Sequence, residues 1–199
     1  MILFGASGHA KVIRNIIRKG GGDVPFLLDD NEMVKELLGV EVRTFSSILD
    51  LSHEELIVSI GINRIRKKVV QKLKTQFGIA IHPAAVIDID AQIGKGTVVM
   101  ARAVVNSSVI IGEHCIINTS CSVDHDCVLD GYVHVSPGVT LCGDVTVGEG
   151  THIGAGAIVI PGIKIGKWAT VGAGTVVIND VPDNAVVVGN PARIIKYND

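Results

Sequence analysis

Seven histidines and four cysteines carry most of this chain's capacity for acid–base and nucleophilic chemistry. One histidine has distinctive company: His125 lies between Asp124 and Asp126. An imidazole titrates near working pH, so it can take a proton from a nucleophile and return it, and an adjacent carboxylate can orient the ring and raise its basicity. His53, His82, His114 and His152 have no such setting and read as structural or solvent-exposed. His114, His125 and His134 lack the close pair that a three-histidine zinc site needs, which speaks against a β-helical carbonic anhydrase. Cys115, Cys121, Cys127 and Cys142 could in principle form two disulfides, but the first three recur at six-residue spacing, which suits small core residues.

That spacing belongs to a repeat, which must position these groups. From residue 81 the chain falls into sixes. The first position runs Ile81, Ile87, Ile93, Val99, Val105 and onward to Val171 and Val177, seventeen times Ile, Leu or Val. The fifth position is small or β-branched, from Ala85 to Val181, and includes Cys115, Cys121 and Cys127, whereas Cys142 falls at a second position and is expected to be more exposed. The second position is glycine six times between Gly94 and Gly172. A period of six is neither helical nor plain alternation; it reads as a short strand and a turn, with the aliphatic residue inward and the small one in a crowded corner. His125, Gly143, Ala155 and Ala173 all take third positions. The pairs 125/143 and 155/173 are each separated by 18 residues, and Asp126 takes a fourth position, where Asp and Gly form turns.

Residues 1–80 have another texture. An apolar run from Met1 to Phe4 leads into Gly5-Ala6-Ser7-Gly8-His9, then an amphipathic stretch with Val12, Ile13, Ile16 and Ile17 on one side. Phe26-Leu27-Leu28 ends in Asp29-Asp30, and Leu56 to Ile60 ends at Gly61. Ile65, Val69, Val70, Leu73 and Phe77 make a helical stripe over Asn63–Phe77, with Arg64, Lys67, Lys68 and Lys74 largely outside it. Alternating strands and helices predict a small parallel, Rossmann-like α/β domain. A glycine loop before its first helix offers backbone N–H groups to an anion, and acidic residues close the second strand as in dinucleotide folds. Gly5-Ala6-Ser7-Gly8 does not make the full dinucleotide fingerprint, so no nicotinamide is expected.

Composition fits this division. The chain has 199 residues, 47% hydrophobic and 19% charged, with 23 glycines and only 4% aromatics, as suits tight turns around a narrow aliphatic core. A net charge of −2 argues against a nucleic-acid surface. No apolar run approaches the ~20 residues of a membrane span, and no basic leader or cleavage signal follows Met1. Reduced core thiols and no visible leader point to a cytoplasmic protein.

Six segments together carry a resemblance: GASGHAK (5–11), FLLDD (26–30), SIGINRIRKK (59–68), NTSCSVDHDC (118–127), VHVSPG (133–138) and GNPAR (189–193). In this order, across nearly the whole chain, they resemble the hexapeptide-repeat acetyltransferases that modify nucleotide-linked amino sugars, with which the sialic-acid O-acetyltransferases are grouped. Within that family the likeness leans toward the branch that acetylates UDP-4-amino sugars in bacillosamine synthesis.

The resemblance implies a left-handed parallel β-helix over 81–199, with three hexapeptides per coil, so that residues 18 apart stack ~4.8 Å from each other. It implies acetyl-CoA as co-substrate, no metal, a homotrimer and a nucleotide-linked amino sugar bound by domain 1–80. By the same resemblance His125 is the catalytic base and Asp126 raises its basicity, where relatives carry the longer Glu. Asn118, His134, Gly143, Ala155 and Ala173 line the acetyl-CoA site. Ser7, Gly8, His9, Asp29, Asp30 and Gly61 hold the sugar nucleotide. Acetylation of a 4-amino-4,6-dideoxy sugar is the leading expectation; a sialic-acid-type O-acetyltransferase and a non-catalytic sugar-nucleotide-binding protein are the rivals.

Overall fold

The computed structural model describes residues 1–45, 51 and 54–198. His53 lies outside the described residues. The architecture changes at Ala80–Ile81. Before it stands an α/β unit of β1 (Ile2–Phe4), α1 (Gly8–Lys19), β2 (Leu27–Leu28), β3 (Glu36–Leu37), β4 (Val40–Arg43), β5 (Glu55–Val58), α2 (Asn63–Val70) and β6 (Gln76–Phe77). Their sheet has the order β3-β4-β2-β1-β5-β6, parallel except for the β3–β4 pair. Its central strands β1, β2 and β5 are apolar on both sides, as a sheet covered on both faces requires, whereas β4 alternates buried and exposed residues. Leu3, Leu27 and Ile57 join one apolar cluster with Ala10, Ile13 and Ile16 of α1. Ile2, Phe4, Leu28, Leu56 and Val58 join the other with Val70 and Leu73.

After Ala80 come seventeen two-residue strands at six-residue spacing, from β7 (Ala80–Ile81) to β23 (Val176–Val177), then β24 (Ala185–Val188) and β25 (Arg193–Tyr197). Residues 18 apart pair in parallel: Val98 with Ile116, Ile116 with His134, His134 with His152. The coils make a left-handed parallel β-helix with faces of eight, six and five strands. First and fifth positions fill the interior, including the free thiols of Cys115, Cys121 and Cys127, each 0% exposed; Cys142 is free and half-buried. The fourth position explains how six residues turn a corner: it has positive φ at Arg102, Ser108, His114, Ser120, Asp126, Tyr132, Asp144 and Trp168. One left-handed residue per hexapeptide redirects the chain, and Asp, Asn and Gly bear it at least cost.

Three details depart from the sequence expectations. Ile81 is 41% exposed rather than inward, because the first coil has no coil beneath it. Val12 is 44% exposed; the buried stripe of α1 is Ala10, Ile13, Ile16 and Ile17. Helix α2 ends at Val70 rather than Phe77, Ile65 is 44% exposed, and the residues it buries are Asn63, Arg66 and Val70. The polar members of that stripe are buried because they bond the carbonyls of the β-helix corner below them.

The two units share a core. Ala80, Val98, Met100 and Ile116 of the eight-stranded face cluster with Leu3, Ile13 and Ile16. Asn63 Nδ2 donates to the carbonyls of Gly150 and Thr151 at 3.0 and 3.2 Å, and Lys67 pairs with Glu149 at 2.6 Å. The α/β unit is thereby seated on the eight-stranded face and the corner that precedes it.

Candidate active site

His125 and Gly143 occupy the corner between the six- and five-stranded faces, one coil apart. Nδ1 of His125 lies 2.8 Å from Oδ2 of Asp126, so the carboxylate accepts the Nδ1 proton and Nε2 is left as the basic nitrogen. Aspartate reaches the ring despite being a methylene shorter than Glu, because residue 126 sits at φ 61° and turns its side chain back toward the neighbour. Asp124 Oδ1 accepts the His125 main-chain N–H at 2.9 Å and the Asn106 amide at 2.8 Å, which anchors the turn to the coil below. The Asp126 hydrogen bond and then the Asp124 charge hold the His125 pKa above its ordinary 6.5. The ring lies directly over Gly143: a Cβ there would stand 2.5 Å from Cε1 and 2.6 Å from Nε2 of His125.

Ala155 and Ala173 occupy a different corner, between the eight- and six-stranded faces. Their spacing stacks them as the repeat register requires, but one protomer does not bring them to His125. Asn118 and His134 lie on the eight-stranded face, with Asn118 Nδ2 3.1 Å from His134 Nε2. Gly61 of the β5–α2 loop lines the same cleft as His134. Burial, above all, and the charges near it push the His134 pKa down to about 3, so the ring is neutral at working pH. His152, one coil on, stacks on His134 with centroids 4.8 Å apart and meets Ser136 Oγ at 2.8 Å.

The groups assigned to the α/β unit collect at the carboxyl ends of β1, β2 and β5, where parallel sheets bind ligands. Ser7 is the residue before α1; its hydroxyl makes no capping bond and is exposed, and a Cβ on Gly8 would meet nothing within 4 Å. Open backbone at a twelve-residue helix start is suited to a phosphate. Asp29 braces this loop: Oδ2 accepts from Ala6 N at 2.6 Å and Oδ1 from Asn31 N at 2.8 Å, while Asp30 is exposed. Ser59 Oγ donates to the carbonyls of Phe4 or Gly5, at 2.9 and 2.6 Å, which ties the β1 and β5 loops together. His9 is half-buried in the first turn of α1, its Nε2 has no partner, and burial lowers its pKa to about 4.

Sequence reasoning did not single out one feature. A cleft of about 550 Å³ opens between the start of α2 and the coils, lined by Gly61, Asn63, Arg64, His134, His152 and Trp168 among others. His152 was legible in principle, since it stands 18 residues after His134 in the same register. Trp168 was not, because only the docking of α2 brings Arg64 to 4.9 Å from its ring. His114 is remote from this chemistry: it is 2% exposed between Phe77 and Tyr132. Among the described residues no group of three His, Cys, Asp or Glu could hold a metal ion. Nor, among them, is any helix long and apolar enough to cross a membrane.

A left-handed β-helix with an exposed, carboxylate-tied histidine on one corner and a parallel α/β unit on a face defines a hexapeptide-repeat transferase. Residues 1–73 match the PglD N-terminal domain, and residues 90–125 and 144–179 match the bacterial transferase hexapeptide (six repeats). The perosamine N-acetyltransferase of Caulobacter crescentus, solved with CoA and GDP-perosamine, is 39% identical, covers 98% of this chain and 96% of its own, and superposes with a TM-score of 0.93. The acetyltransferase domain of PglB from Neisseria gonorrhoeae is 36% identical over 98% of both chains, with a TM-score of 0.91, and has also been solved with acetyl coenzyme A. UDP-N-acetylbacillosamine N-acetyltransferase of Bacillus subtilis is 41% identical over 108 residues, a match that spans half of this chain and half of that protein. The chain belongs to this family of hexapeptide-repeat sugar N-acetyltransferases.

Proposed function

We propose that the chain transfers the acetyl group of acetyl-CoA to the 4-amino group of a nucleotide-linked 4-amino-4,6-dideoxy sugar, with UDP as the nucleotide. The observation that carries this reading is the His125 ring lying over Gly143 with Nδ1 bound by Asp126. The neutral amine attacks the thioester carbonyl, and the N–C bond forms as the C–S bond breaks. Nε2 of His125 takes the amine proton and returns it to the departing CoA thiolate, so no covalent enzyme intermediate is needed. The Gly143 N–H, which bonds to no other described residue, is the candidate donor to the oxyanion. Small side chains at Ala155 and Ala173 leave the backbone open to the pantetheine arm.

The separation of these groups supports a homotrimer. Within one protomer His125 and Gly143 are on one corner, Ala155 and Ala173 on another, His134 on the face beneath the α/β unit, and Ser7 and Gly61 in that unit. Two prisms side by side would set the base of one against the acyl and acceptor groups of its neighbour. Residues 1–80 then select the acceptor and residues 81–199 hold acetyl-CoA. Three fully buried free thiols suit a reducing cytoplasm.

The test is incubation with acetyl-CoA and a panel of UDP-, dTDP- and GDP-linked 4-amino sugars, beside hydroxyl-only analogues and sialic acid. Products are identified by mass and thiol release is followed. Acetylation of a UDP-linked amine supports the reading. Ester formation on a sugar hydroxyl, or absence of thiol release with every acceptor, would overturn it.

A further inference from the structure

The motif SIGINRIRKK buries a cation for which the reaction has no obvious use. Arg66 is 1% exposed, yet among the described residues no carboxylate pairs with it. Its Nε donates to the His114 carbonyl at 2.9 Å. One terminal nitrogen donates to the carbonyls of Ile60 and Gly61 at 2.9 and 3.3 Å. The other donates to Asn63 Oδ1 and the Tyr132 carbonyl, both at 2.9 Å. Five N–H groups thus meet five oxygens, drawn from the acceptor loop, the first turn of α2 and two coils of the β-helix. Burying a guanidinium without a counter-ion is expensive, and simple adhesion between the two units could be had from apolar residues.

The loop shows what the cation does. The carbonyls of Ile60 and Gly61 both accept from one nitrogen of Arg66, and Gly61 lines the cleft that also holds His134 and His152. The other two nitrogens are anchored on the carbonyls of His114 and Tyr132, one coil apart, so a single side chain ties the loop to the β-helix.

We propose that Arg66 is a positioning residue for the acceptor. It ties the Ile60 and Gly61 carbonyls to those of His114 and Tyr132, and so fixes the β5–α2 loop against the β-helix. The proposal rests on the acceptor site proposed above at Gly61. It goes beyond that site by assigning the loop's geometry to a buried residue that touches no ligand.

Two measurements test it. In the intact wild-type protein, the Arg66 guanidinium N–H protons should give resolved signals that exchange slowly with solvent, as five bonds to buried oxygens require. Rapid exchange overturns the proposal whatever the ligand. In Arg66→Lys and Arg66→Gln, calorimetry with a UDP-linked 4-amino-4,6-dideoxy sugar should show binding weakened about tenfold or more. Affinity for CoA should change less than about threefold, because Arg66 bonds none of the residues assigned to acetyl-CoA, His134 and Asn118 included. Unchanged sugar-nucleotide binding, or equal loss of both ligands, overturns the proposal. A wild-type protein that does not bind this sugar nucleotide sinks the acceptor reading alone, and the exchange rates then decide the role of Arg66. They also decide it if both variants fail to fold.

Discussion

Replacing Gly143 by alanine adds one methyl group at the point where the proposed mechanism is least tolerant. That Cβ would stand 2.5, 2.6 and 3.2 Å from Cε1, Nε2 and Nδ1 of His125. Carbon contacts relax at roughly 3.5–4.0 Å, so the ring must retreat by about 1 Å. The His125 side chain is 60% exposed and can swing outward, at the cost of its 2.8 Å bond to Asp126. Gly143 has no positive φ, so alanine brings no backbone strain, and the nearest atoms its Cβ would meet all belong to the exposed His125 ring that covers it. Stability should therefore stay within about 0.5 kcal/mol of wild type, since the group that must move is free to do so. A base displaced by about 1 Å costs on the order of 10²-fold. Steady-state thiol release should show kcat down by roughly that factor, with Tm unchanged. The control is a double-mutant cycle: in a His125→Ala background, Gly143→Ala should add almost nothing, because there is no ring left to displace. Normal turnover in Gly143→Ala would refute the stacked base. A full loss that persists without His125 would move the cost to the acyl group or the Gly143 N–H.

His125→Ala should lower kcat by about 10²–10⁴-fold while acetyl-CoA still binds, as calorimetry can verify. Asp126→Asn removes the bond that raises the His125 pKa, so the acidic limb of the kcat profile, expected above 6.5 in the wild type, should move down toward 6.5; an unmoved limb would exclude His125 as its source. Light scattering should find a trimer, and dilution into monomers should abolish activity; a fully active monomer would refute the shared site. Acid should unfold the protein early. His9 and His114 are held to about 4 and His134 to about 3, so below 6.5 the unfolded chain binds protons that the folded chain refuses. Their stabilising contribution is full above pH 6.5 and shrinks toward pH 4, with a loss of up to about 2 kcal/mol per ring at pH 5 in denaturant titrations; equal stability at pH 7 and 5 would contradict this.

The β-helix was legible in the sequence because its physics is local and repeated. Each hexapeptide must supply one inward aliphatic, one small corner residue and one left-handed turn, and seventeen repetitions outweigh any single exception. The family motifs located His125, and the register placed it over Gly143 without the coordinates. The burial of Arg66 was not legible. Helical periodicity assigned Ile65 to the inner stripe of α2 and said nothing of Arg66, because it weighs residues by polarity. What decided the matter was the corner of the β-helix, whose carbonyls at His114, Tyr132, Gly150 and Thr151 need donors. By contrast, the repeat register alone divides His125 and Gly143 from Ala155 and Ala173, although all four take third positions. A prism has three corners, and residues on the same corner must differ by a multiple of 18. The difference between 143 and 155 is 12, so they fall on different ones.

That arithmetic bears on how such a site can evolve. A base and its stacked glycine are fixed by adjacent coils of one rigid solenoid, whereas the acceptor loop is fixed by a separate α/β unit through Arg66, Asn63 and Lys67. On the proposed reading, changes in the sheet loops can alter the bound sugar nucleotide without moving His125, because among the described residues no hydrogen bond or ion pair joins the two. The cost is that productive alignment depends on the seating of the α/β unit on the eight-stranded face. An error of about 1 Å there carries the same order of penalty as displacing the base itself. A buried, fully bonded arginine at that seat resists such an error better than an apolar contact would, because each of its five bonds has a preferred direction and apolar packing has none.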